Sequence, residues 1–110
     1  MSGPSEMYVG RQNGKLTEVF LGSRANAAAL FDYMLERMPE AASDYAEEFE
    51  FGNWETLSIT GLPARHFMPV YRIIMQAMDE LPSLNPYKDT MQTALQADPR
   101  YQSSPAMQAA

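Results

Sequence analysis

The 110-residue chain contains no cysteine. That absence excludes disulfide staples, thiolate metal sites and a cysteine nucleophile together, so packing must hold the fold. Histidine is scarce as well, with His66 the only one. No apolar run approaches the roughly 20 residues of a membrane-spanning helix, and the opening Met1-Ser-Gly-Pro-Ser-Glu6 has neither the basic start nor the apolar stretch of an export signal. These absences lead us to expect a cytoplasmic protein without membrane association. Positive charge is also thin: 8 basic residues stand against 14 acidic ones, a net charge of −6. Direct nucleic-acid binding is therefore disfavoured, and the scattered basic residues show no interleaving with aromatics. Glycine-rich phosphate loops, dinucleotide fingerprints, nucleophile elbows and His-Glu-x-x-His pairs are all missing. No cofactor or metal is implied, and a non-enzymatic role is favoured over an enzymatic one.

What is present reads as one globular domain over residues 1–101, followed by a flexible tail over 102–110 that lacks buried periodicity. Asn13-Gly14 lies between two β-prone runs, Met7-Tyr-Val9 and Leu16-Thr-Glu-Val-Phe-Leu21, and suits the positive φ angles of a type I′ hairpin turn. The consecutive Val19, Phe20 and Leu21 suggest a strand covered on both faces near its end. Ser23 then offers an N-cap for a helix ending about Met38, with Ala27, Leu30, Phe31, Met34, Leu35 and Met38 on one face. Pro39 is expected to stop that helix and open a second, shorter one through Phe49. A third strand is expected over Trp54–Thr60. A further helix should start at Pro69 and end before Pro82, and a last one should run from the cap Asn85 to about Ala97. The expected class is α+β: a small antiparallel sheet, made of the N-terminal hairpin and one central strand, with three to four helices packed on one face.

The most uneven feature is charge. Seven of the 14 acidic residues, Glu36, Glu40, Asp44, Glu47, Glu48, Glu50 and Glu55, fall within twenty positions that hold a single base, Arg37. Such a face attracts a protein partner with a basic surface. The leading expectation is a protein-binding module that uses Glu40, Asp44, Glu47, Glu48, Glu50 and Glu55 with Trp54 as an aromatic anchor. In size and charge alone the chain resembles small acidic inhibitors of the immunity, antitoxin and phage anti-defence kind, which would make the module an inhibitor. Two alternatives stand beside it. One is a ligand-binding or catalytic cleft near Arg65, His66 and Tyr71. The other is a subunit of a homo-oligomer that buries an apolar face along Tyr71, Met75 and Met78. A small basic patch of Arg11, Lys15 and Arg24 near the hairpin tip would serve head-to-tail self-association or a polar docking face.

Overall fold

The hairpin forms around the turn that its sequence encodes. Strand β1 (Glu6–Gln12) pairs antiparallel with β2 (Lys15–Phe20). Asn13 and Gly14 take φ values of +54° and +80° between them, as a type I′ turn requires. The register shifts by one residue between Tyr8 and Gly10, placing a β-bulge at Val9. The computed structural model describes residues 5–52 and 57–102.

Among the described residues four helices follow: α1 (Arg24–Ala41), α2 (Ala46–Gly52), α3 (Phe67–Glu80) and α4 (Lys88–Gln96). Ser23 caps α1 as its sequence suggests, its Oγ accepting from the Asn26 N–H at 3.1 Å. The helix does not stop at Met38. It passes through Pro39 to Ala41, and the Ala42 N–H bonds the Met38 carbonyl at 2.7 Å. Pro39 is exposed and lies in the last turn, so one hydrogen bond is forgone there while Met38 beside it stays fully buried. The second helix consequently begins at Ala46 rather than at the proline. Pro69 sits in the first turn of α3, where a missing N–H costs nothing, and the helix starts two residues before it. A 3₁₀ turn over Ala64–His66 leads into α3, and another over Asn85–Tyr87 leads into α4. Asn85 does not cap a helix with its side chain; its Nδ2 donates to the Met78 carbonyl at 3.1 Å.

The class is α+β, with two corrections to the expected sheet. The third strand is reduced, over its described part, to one isolated bridge, and that bridge is parallel rather than antiparallel: Tyr8 pairs with Ser58. The Tyr8 N–H donates to the Leu57 carbonyl and the Ile59 N–H donates to the Tyr8 carbonyl, both at 2.9 Å. Nor is β2 covered on both faces. Val19 and Leu21 are buried, but Phe20 points outward between them, its ring meeting that of Tyr87 edge-on. Strict alternation wins over the run of three apolar residues because no second layer lies on that side.

The core unites the inner sheet face (Met7, Val9, Val19, Leu21) with Leu30, Met34 and Met38 of α1 and with Val70, Ile74 and Met78 of α3. Tyr33 is buried as well, where the periodicity had favoured Phe31 and Leu35, both only partly covered. Its hydroxyl donates to Glu80 at 3.0 Å and so joins α1 to the end of α3, while the Arg37 guanidinium lies 3.5 Å over its ring. Along the apolar face expected for self-association, Met78 is fully buried, while Tyr71 and Met75 are partly buried and pack against the core.

Candidate functional site

The acidic segment spans the last turns of α1, the following turn and α2. Helix α2 has only seven residues, too few to be stable by itself. It is held by its inner face: Phe49 is fully buried and packs on the Phe31 ring at 5.5 Å and the Tyr45 ring at 6.3 Å. With Tyr45 and Phe49 inward, Glu47, Glu48 and Glu50 are left outward and exposed. Glu36 and Glu40 lie one turn apart on α1 and are exposed too. Burial raises the pKa of the Tyr45 hydroxyl, with the Glu48 charge adding to the effect. Trp54 and Glu55 lie outside the described residues.

Asp44 behaves differently from its acidic neighbours. Arg65 Nη2 pairs with its Oδ2, and His66 Nε2 bonds its Oδ1. Both side chains come from the 3₁₀ turn ahead of α3, so the contact ties that turn to the α1–α2 connection. The hydrogen bond from Arg65 holds the Asp44 carboxyl below its ordinary pKa, and His66 acts in the same direction against partial desolvation. Residues assigned by sequence to two rival sites thus meet in one cluster. Its effect is to neutralise Asp44. Among the described residues Glu40, Glu47, Glu48 and Glu50 have no cationic partner, and Glu36 meets Arg37 at 3.4 Å in an exposed pair.

Tyr71, the third member of the expected cleft, turns elsewhere. Its hydroxyl accepts from Gln96 Nε2 at 3.1 Å and from Gln92 Nε2 at 3.4 Å, and its ring meets Tyr101 edge-on at 5.2 Å. It therefore belongs to the α3–α4 contact and is not grouped with Arg65 and His66. A shallow hollow of about 470 Å³ lies between α1 and the end of α3, lined by Ala29, Asp32, Tyr33, Leu35, Glu36 and Leu81. Another of about 180 Å³ lies beside Arg11, Thr60 and Pro99. Neither is lined by Arg65, His66 or Tyr71. Among the described residues no group of three or more His, Asp or Glu side chains converges as a metal site, and no helix is long and apolar enough to cross a membrane.

The most constrained polar group was not singled out by sequence. Arg100 places all five of its N–H donors. Nε and Nη2 fork onto Asp98 at 2.8 and 2.9 Å, Nη1 reaches the Ile59 and Leu62 carbonyls at 2.9 and 2.7 Å, and Nη2 also reaches the Val9 carbonyl at 2.7 Å. The side chains of Arg100 and Asp98 are 16% and 4% exposed, and the guanidinium lies 4.8 Å over the Phe67 ring. Fully saturated, Arg100 is a fastener between β1, the 57–62 segment and the chain beyond α4. The one local signal for it is Asp98-Pro-Arg100, a charge pair set across a proline just after a helix. No protein-family model, curated protein or solved structure matches the chain, so its site is defined by its own geometry.

Proposed function

We propose that the protein is a non-enzymatic binding module that presents Glu40, Glu47, Glu48 and Glu50 to a basic surface of a protein partner. The observation that carries this reading is the contrast within the acidic segment: Asp44 is neutralised by Arg65 and His66, whereas these four carboxylates are exposed without a cation. Unpaired like charges on a short helix repel one another and weaken it, and a basic partner would relieve that cost. Uncompensated exposed charge acts chiefly on the association rate, so binding should be fast at low salt and slow as salt screens it.

The test is capture of basic proteins from a lysate on the immobilised wild-type chain and on a variant carrying Glu47→Gln, Glu48→Gln and Glu50→Gln. The captured partner's association rate is then measured at low and high salt. The expected outcome is a fall of about tenfold or more in on-rate for the variant, with an unchanged circular dichroism spectrum. An equal on-rate for the two proteins, or one insensitive to salt, would overturn the reading.

A further inference from the structure

Strand β2 is an open edge. Its neighbour β1 is bonded on both sides, to β2 and to Leu57–Ile59, but the far side of β2 hydrogen-bonds no other backbone among the described residues, α4 packing against the strand without such a bond. The backbone groups facing that open side can be identified. Tyr8 gives both its N–H and its C=O to Leu57 and Ile59, so its pairing with Glu18 is of the non-hydrogen-bonded kind, and the Glu18 backbone points away from β1. By alternation Leu16 and Phe20 do the same. These three residues also carry the outward side chains. Leu16 is 42% exposed and Phe20 57%, and they are the two large hydrophobic side chains left exposed among the described residues. Glu18 lies between them, exposed and, among the described residues, without a cation.

We propose that the edge of β2 is a docking site for an extended segment of another protein in which a lysine or arginine is flanked, two residues away on each side, by apolar side chains. Added as a strand, such a segment satisfies the outward backbone groups. It also sets its two apolar residues against Leu16 and Phe20 and its cation against Glu18. A second copy of the chain fits less well. The antiparallel register that places Leu16 opposite the Phe20 of another copy also places Glu18 opposite Glu18, and like charges directly opposed are destabilising. This surface is separate from the α2 carboxylates and does not depend on them.

The probe is a capped peptide, Thr-Val-Thr-Lys-Thr-Val-Thr, titrated into the ¹⁵N-labelled protein, with the same peptide carrying glutamate in place of lysine as its reference. The expected result is chemical-shift change concentrated on residues 15–20, with the lysine peptide binding about threefold or more tighter than the glutamate one. Glu18→Lys should reverse that preference, and Phe20→Ser should weaken both peptides alike. The proposal is overturned by shifts that spare β2, by equal affinity for the two peptides, or by a preference that Glu18→Lys leaves unchanged. Self-association of the unliganded protein that strengthens in Glu18→Gln, measured by sedimentation, would assign the edge to a second copy and overturn it too.

Discussion

Arg100 ends five hydrogen bonds on four residues in three segments of chain, and this geometry makes it the residue with the most to lose. Lysine at this position has three donors, so the Val9, Ile59 and Leu62 carbonyls and the Asp98 carboxylate would compete for them. Arg100→Lys should therefore cost about 2–3 kcal/mol in urea unfolding, the penalty of leaving buried acceptors unmet. A variant as stable as the wild type would show the fork to be dispensable. Gly10 is part of the same arrangement, because a Cβ there would stand 2.5 Å from Asp98 Oδ2 and 2.8 Å from Arg100 Nη2. At Asp44 the expected behaviour is pH-dependent. Folding depresses its carboxyl, so the contribution of its pairs is fully present above the unfolded value and is lost as pH falls through the folded one. The stability difference between wild type and Asp44→Asn should be present at about pH 5 and vanish in stronger acid as the carboxyl protonates. Neither residue was legible as structural in the sequence. Arg100 read as one of eight scattered bases and Asp44 as one of seven crowded acids, since, Asp98 apart, their partners lie 21 to 91 positions away along the chain.

Among the elements, those set by local chemistry appear where the sequence places them. Asn13-Gly14 makes the turn, Ser23 caps α1, and Pro69 falls in a first turn. Asn85, which caps no helix, and Pro39 are the exceptions, and for Pro39 the reason is energetic. Ending α1 at Met38 would spare one hydrogen bond but would loosen Met38, which is fully buried, and Ala42, whose N–H closes the last turn. Burying a side chain of that size is worth about 1.5–3 kcal/mol, comparable to the roughly 3 kcal/mol that proline costs within a helix. Exposure of Pro39 and its place in the last turn reduce that cost further. Pro39→Ala should restore the donor to the Leu35 carbonyl and raise stability by about 1 kcal/mol, less whatever proline contributes by restricting the unfolded chain. A melting temperature that drops instead would show that the proline shapes the turn into α2. That turn matters for function, because it sets where Glu47, Glu48 and Glu50 stand.

At the scale of the whole molecule, the buried described residues form one hydrophobic cluster that draws on the hairpin and all four helices. A single cluster implies a single cooperative transition. Far-UV circular dichroism and tyrosine fluorescence should therefore report coincident urea unfolding curves; two separated transitions would count against one domain over residues 1–101. The same scale explains how much of the candidate site could be read in advance. Composition and periodicity determined the α+β class, the hairpin, most of the inward face of α1 and the position of the acidic segment, because each depends on neighbours within a turn or two of chain. Tertiary structure alone decided that Asp44 would be neutralised by Arg65 and His66, that Tyr71 would face α4, and that Arg100 would fasten the hairpin to the far end of the chain. It also decided that the 57–59 segment would lie parallel to β1 on the side away from β2. That last choice left β2 as an open edge. Pairings between distant segments are selected by which arrangement buries the apolar faces and satisfies the backbone groups together, and no local pattern in this chain carries that sum.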